Sequence, residues 1–392
     1  MSTPHARRSF RYWLQQVHLW SGLILCVPLV LLGLTGSVLV FHHEIEEWTS
    51  APLPAATAGT PQSAAALVAA ASSHVPAEFA AAAITFPEHA GDYAQIRFAK
   101  PGPRGSGPPG RGPGQTVLVD PVSLAIVNRE TPASNTLMRT FHVLHGNLMI
   151  EGRLGRQIVG ALGVVMLVLG VSGLIMWWPR KGQWRTAFSV AKGARGFRLH
   201  RDLHGAVGFW SLIVFTVVSF TGVYIAFPET VGGGVRAVFP GRDLRASANA
   251  LTVEPADGVT PLGIDGLILL AQEAAPGQDP ATLMLSQRPN QPARVTLRRA
   301  PGDEGPALTT VYIDPWRARV IEKRDPRDYT IGETILAWQR ALHEGSGLGW
   351  GWKILVFLSG LLPLLFSITG ISMWLLKRHR RPARARRAGA PA

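Results

Sequence analysis

Four stretches of this chain carry no Asp, Glu, Lys or Arg: 12–43, 157–179, 203–228 and 354–376. Each reaches the length of about 20 mostly apolar residues that a helix needs to cross a bilayer. A chain with four such blocks is not a purely soluble enzyme. Nor is it a disordered polypeptide, which lacks large apolar blocks. The composition fits this reading, with 47% hydrophobic and 16% charged residues against about 25% charged in an ordinary soluble domain. The single cysteine, Cys26, lies inside the first block. One cysteine excludes an intramolecular disulfide framework, a Cys-x-x-Cys zinc or redox site, an iron–sulfur cluster and a covalent c-type haem.

The formal net charge of +14 invites a nucleic-acid reading, but its placement argues for a lipid bilayer as partner and no nucleic acid. The basic excess sits in the N-terminal tail (Arg7, Arg8, Arg11), in the link from Arg180 to Arg201, and in the tail from Lys377 to Arg387. Lys and Arg gather on the cytoplasmic side of membrane proteins. Both termini and the link therefore read as cytoplasmic, and the two long loops as periplasmic. The first block is about twice the length of a signal-peptide apolar region and no small-x-small site follows it, so it reads as a retained helix. The expected organisation is a tail over 1–17, spans over 18–42, 155–178, 204–227 and 353–376, external modules over 43–152 and 228–349, a basic link over 179–203 and a basic tail over 377–392.

The two halves repeat each other. His18-x-x-x-Gly22 matches His204-x-x-x-Gly208, and the same offset lays Thr35-Gly36 on Thr221-Gly222 and Phe41 on Phe227. Gly173-x-x-Met176-Trp177 matches Gly370-x-x-Met373-Trp374, and Leu144-His145-Gly146 resembles Leu342-His343-Glu344 with a one-residue shift. Duplications of this kind place sites at the interface of the halves. Each external loop reads as a small α+β module. The first has a helix over 63–73 and strands near 82–86, 93–99, 116–120 and 125–129. The second has a helix over 262–275 and strands near 282–286, 293–299, 309–314 and 318–323. Asp-Pro at 120–121 and 314–315 marks a turn in each. The Pro/Gly-rich run 101–114 reads as a flexible hairpin tip.

The histidines carry the chemistry. Ionisable groups at membrane depth are costly, and they are functional candidates for that reason. His18 and His204 are repeat-equivalent at one end of the spans, as are His145 and His343 at the other. A pseudo-twofold axis would bring each pair face to face, and two facing imidazoles suit a bis-His b-type haem. His18 and His42 are separated by roughly 36 Å of helix at ~1.5 Å per residue, so two haems would span the bilayer. His200, one turn before His204, is an alternative at the first site. His42, His43 and His142 are alternatives at the second. The plainer readings stand beside these. A histidine at a helix end can be an interfacial hydrogen-bonding residue, the flanking Trp residues can form an aromatic belt, and the glycines can serve close helix packing.

Val17-His18-Leu19-Trp20-Ser21-Gly22, Leu144-His145-Gly146, Leu203-His204-Gly205, Val119-Asp120-Pro121 and Ser172-Gly173-x-x-Met176-Trp177-Trp178 together make the chain resemble the PepSY-associated transmembrane family, from about residue 8 to 378. That family includes iron-regulated inner-membrane proteins and ferric-siderophore reductases. The resemblance implies a membrane α-helical protein with four transmembrane helices as a tandem repeat and two α+β PepSY-like modules facing the periplasm. In the reductase branch it implies two haems, held here by His18, His204, His145 and His343, and reduction of ferric-siderophore iron. The link and tails are too short for a flavin or NAD(P) domain, so electrons are expected from quinol or a separate donor protein. The alternatives are a membrane-anchored PepSY protein that binds a ligand or regulates a protease, and an iron or siderophore transporter. Each admits a homodimer.

Overall fold

The computed structural model describes residues 9–49, 53–100, 114–127, 133–298, 305 and 308–388. Arg7, Arg8 and all of the run 101–114 except Gly114 lie outside them. The chain divides into two compact units. One comprises Met1–Ser50, Pro132–Gly234 and Trp338–Ala392, and the other Ala51–Thr131 and Val235–Ala337.

In chain order, α1 (Phe10–Ile24), α2 (Cys26–Val40) and α3 (His42–Thr49) come first. They are followed by α4 (Ala64–Ser72), β1 (Ala80–Thr85), β2 (Ala94–Ala99), β3 (Gly114–Val119) and β4 (Ile126–Val127). Next are α5 (Ala133–Asn147), α6 (Gly152–Trp177), α7 (Trp184–Ala187), α8 (Gly196–Ala226), α9 (Pro228–Val238), α10 (Leu244–Ala250) and α11 (Ile264–Ala274). The second half closes with β5 (Pro280–Met284), β6 (Ala293–Leu297), β7 (Thr309–Asp314), β8 (Arg319–Arg324), a 3-10 turn at Pro326–Asp328, α12 (Ile331–Glu344) and α13 (Gly349–Ala388).

In the helical unit, α6, α8 and the Gly349–His379 part of α13 are each long and apolar enough to cross a membrane. The first apolar block is not one straight helix. It breaks between α1 and α2 with a bend of 66°, giving three spans, or four if the bent pair counts as one. Pro28 permits the break: it lacks an N–H, and its ring opposes the carbonyl of Ile24 one turn earlier. Leu25 leaves helical geometry at that point (φ −98, ψ 7). Val164, Val168, Val171 and Ile175 are exposed along one face of α6, as are Ile213 on α8 and Leu355 and Leu358 on α13. Water would oppose such exposure at about 25 cal/mol per Å², whereas lipid accepts it. Inside the unit, α13 packs against both α2 and α8, and α6 packs against α8.

The second unit holds one eight-stranded antiparallel sheet in the order β4-β3-β2-β1-β5-β6-β7-β8. The two halves expected as modules therefore share a sheet. Ala83, Ile84 and Thr85 of β1 pair with Met284, Leu283 and Thr282 of β5. This seam removes two exposed strand edges, each a row of unpaired backbone groups. Alternating burial along β2 and β6 sends Ile96, Phe98, Val295 and Leu297 to the face packed against α4 and α11, where Ile84, Leu283 and Val311 join them. The opposite face carries Gln95 and Arg97 in the first half and Arg294, Thr296 and Thr310 in the second.

The Asp-Pro turns are anchored by their carboxylates. Buried Asp120 accepts from Thr57 N (2.7 Å), Thr57 Oγ1 (2.7 Å), Val122 N (2.9 Å) and Ser123 N (3.0 Å). Burial alone would raise its pKa, but these donors outweigh burial and hold it below the ordinary carboxylate value. Asp120→Asn should destabilise by about 1–3 kcal/mol at neutral pH, because it leaves donors poorly matched. A carboxylate with a depressed folded pKa contributes stability above its unfolded value and loses it as pH falls toward the folded one. The difference in Tm between wild type and variant should therefore shrink below about pH 4, as thermal scans across pH would read. A constant gap would overturn this account.

Candidate functional site

Each of the four histidines singled out by the repeat meets a hydroxyl that stands immediately before a glycine. His18 Nδ1 lies 2.8 Å from Ser172 Oγ and His204 Nδ1 lies 2.8 Å from Thr369 Oγ1. His145 Nδ1 lies 3.3 Å from Thr35 Oγ1 and His343 Nδ1 lies 3.1 Å from Thr221 Oγ1. Three of the glycines beside these hydroxyls make room for the rings. A Cβ on Gly36 would come within 2.9 Å of His145 Cε1, one on Gly222 within 3.0 Å of His343 Cε1, and one on Gly173 within 3.3 Å of His18 Cε1. At Gly370 nothing lies within 4 Å. One small-hydroxyl–Gly dipeptide thus recurs beside all four imidazoles, its hydroxyl in contact with each ring and its glycine with three.

The hydrogen bonds also fix the tautomers. Thr35 Oγ1 donates to Leu31 O (2.6 Å), Thr221 Oγ1 to Val217 O (2.8 Å), Thr369 Oγ1 to Leu365 O (2.8 Å) and Ser172 Oγ to Leu169 O (3.2 Å). With its proton committed, each hydroxyl accepts from the imidazole. His145 Nδ1 and His343 Nδ1 also lie 3.0 Å from the carbonyls of Leu32 and Val218, which can only accept. All four rings therefore carry hydrogen on Nδ1 and leave the Nε2 lone pair bare, the arrangement of a metal-ligating histidine anchored through its other nitrogen.

The rings meet in pairs. The His18 and His204 centroids are 6.2 Å apart, and those of His145 and His343 are 6.0 Å apart. A metal with an imidazole nitrogen about 2 Å away on each side separates two ring centroids by roughly 6 Å, so both spacings suit one ion between two rings. Among the described residues no group of three or more His, Cys, Asp or Glu gathers to hold an ion. The remaining ligands would have to come from a group such as the haem macrocycle, and the surroundings of the first pair suit one. A cavity of about 770 Å³ surrounds His18 and His204, with Trp177, Phe366, Gly22 and Gly208 on its walls. Arg11, Arg180, Arg201 and Lys377 also line it, and they suit the two carboxylates of a haem. Both pairs are placed by α8. It carries His204 and, roughly 26 Å further along at ~1.5 Å per residue, the Thr221-Gly222 step that receives His343.

The alternatives are placed differently. His200 shares α8 with His204, and its buried Nδ1 has no hydrogen-bond partner. His42, His43 and His142 form a separate cluster, with His42 3.8 Å from His43 and 5.5 Å from His142, ring to ring. Within it, His42 Nδ1 bonds Leu39 O (2.8 Å) and His142 Nδ1 bonds Met138 O (3.1 Å). Sequence reasoning noted Thr35, Thr221 and Ser172 only as repeat or motif positions. It missed that they and Thr369 orient the imidazoles, although the recurring hydroxyl–Gly step was a visible signal.

Helices long and apolar enough to cross a membrane, imidazole pairs drawn from those helices and from α5 and α12, and an antiparallel sheet unit make this a protein of the membrane class. The family described as PepSY-associated TM region matches residues 15–377, nearly the whole chain, and the protein belongs to that family. A comparison with curated proteins found no significant match.

Proposed function

We propose that this protein holds two b-type haems in its helical unit and reduces the iron of ferric siderophores at the periplasmic face of a bacterial inner membrane. The observation that carries the reading is the pairing of four Nδ1-anchored imidazoles at centroid distances of 6.2 and 6.0 Å. Bound haem supplies a one-electron carrier. His18 and His204 would hold one group, and His145 and His343 the other. Ser172, Thr369, Thr35 and Thr221 fix the rings, and Arg11, Arg180, Arg201 and Lys377 offer positive charge at the first site. The bent α1–α2 pair, α6, α8 and α13 make four crossings. The basic tails and link are cytoplasmic, and the sheet unit is periplasmic.

Oxygen-donor siderophores grip Fe(III) more tightly than Fe(II), because hard anionic ligands favour the higher charge. One electron, drawn from membrane quinol or a separate donor protein, converts bound Fe(III) to Fe(II) and frees the chelator. The polar open face of the sheet supports a second reading, in which the protein binds a ligand or regulates a protease and the histidines are structural.

Absorption spectra of the purified protein, oxidised and dithionite-reduced, with haem stoichiometry, separate the two. Two low-spin b-type haems per chain are expected, with no unaided oxidation of NADPH. A well-folded, haem-free protein from haem-replete cells would overturn the first reading in favour of the second.

A further inference from the structure

The face of the second half-sheet turned away from the α11 core carries a row of polar side chains in register. Met284 pairs with Arg294, Arg294 with Tyr312, and Thr310 with Arg324. Residues of α10, among them Arg245, and Tyr329 complete a cavity of about 440 Å³ over this row. That size falls within the roughly 300–1,000 Å³ of small-molecule sites.

The arginines differ in what they do. Buried Arg324 is committed to structure. Its Nε and Nη2 bond Glu322 (2.8 and 3.2 Å), Nη2 also bonds Ser247 Oγ (3.0 Å), and Nη1 bonds the Leu244 carbonyl. Its guanidinium lies 5.0 Å from the centre of the Tyr312 ring, which holds that ring in place. Arg294 instead donates to the thioether of Met284, a weak acceptor, and no carboxylate pairs with it among the described residues. The Tyr329 phenol has its pKa pushed up by burial, so it stays a neutral donor. The wall thus presents more cationic and donor groups than acceptors.

We propose that this cavity binds a small organic carboxylate, with the Arg294 guanidinium as its principal anchor. The planar guanidinium fork matches a carboxylate in two-point contact. The Tyr312 and Tyr329 rings and the Met284 side chain offer apolar surface to an organic body, which inorganic phosphate lacks. Every residue involved lies in the sheet unit, so the site stands whether or not the helical unit binds haem.

The test is calorimetric titration of the full chain in neutral-lipid nanodiscs with benzoate, citrate and inorganic phosphate. At least one carboxylate should bind saturably, more tightly than phosphate, and more weakly in 0.5 M salt as screening predicts. Arg294→Gln should weaken that binding about tenfold or more, and Arg294→Lys, which keeps charge but loses the fork, by less. The exposed Arg288→Gln should change nothing. The thermal transition of each variant, measured alongside, identifies any that fails to fold. No saturable carboxylate binding, phosphate binding as tight as the carboxylates, or carboxylate binding unchanged in a folded Arg294→Gln would each overturn the assignment.

Discussion

If the helical unit holds two haems as proposed, His343→Ala should purify with one, and His204→Ala should do the same. The double variant should hold none. Each substitution removes one of the two proposed Nε2 ligands of a pair and leaves its partner, His145 or His18, without the ring it faces. The two single variants should lose spectrally distinct species, because the pairs sit in different surroundings. Around His18 and His204 is a cavity with Trp177, Phe366 and several basic residues, whereas His145 and His343 are anchored on backbone carbonyls of α2 and α8. Thr221→Val provides the graded case. It keeps the ligand and the Val218 carbonyl contact but deletes one hydrogen bond to His343 Nδ1, so haem is retained with an affinity lowered by about 10–100-fold and a shifted midpoint potential. Haemochromogen stoichiometry and a redox titration read these outcomes. If His343→Ala keeps both groups and His142→Ala loses one, the ligand passes to the His42–His43–His142 cluster. If all four single variants keep two, the pairs are not ligands.

The pairing of the candidate histidines was legible because the chain is duplicated. A lone His18 says little, but its alignment with His204, and that of His145 with His343, marks positions a twofold arrangement brings together. The ring spacings of 6.2 and 6.0 Å give that alignment a physical form. The strands were legible from alternation: β7 occupies Thr309–Asp314, the range read from sequence. The sharing of one sheet by both modules was not legible. The β1–β5 seam joins Ile84 to Leu283 across about half the chain, and nothing local in either strand names its neighbour. The break after Ile24 shows a different limit. Pro28 permits it, yet Pro363 lies within the unbroken α13, because neighbouring helices can absorb the same lost hydrogen bond. Packing decides between the two outcomes, and the sequence alone does not display the packing.

That packing leads to the second large effect. Where α2 crosses α13, a Cβ on Gly33 would fall on the carbonyl oxygen of Gly360. One on Gly360 would lie 2.6 Å from the Gly33 carbonyl oxygen and would strike Ser37 Oγ. These obstacles are backbone and a committed side chain, since Ser37 Oγ donates to the Phe357 carbonyl on α13 at 2.8 Å, so little can yield. Overpacking in a close-packed interior costs about 1–3 kcal/mol for modest insertions and more for large ones. Gly360→Leu should therefore abolish accumulation of folded protein in the membrane. Gly360→Ala, the smallest insertion, discriminates further. It would push α2 away from α13, and α2 carries Thr35, Gly36 and the Leu32 carbonyl that seat His145. The His145–His343 haem should then be lost or shifted in potential before the His18–His204 haem, whose anchors Ser172 and Thr369 lie on α6 and α13. Equal loss of both, read by spectral titration of Gly360→Ala, would mean that the crossing supports the bundle as a whole, and the specific link from helix packing to the second histidine pair would fall.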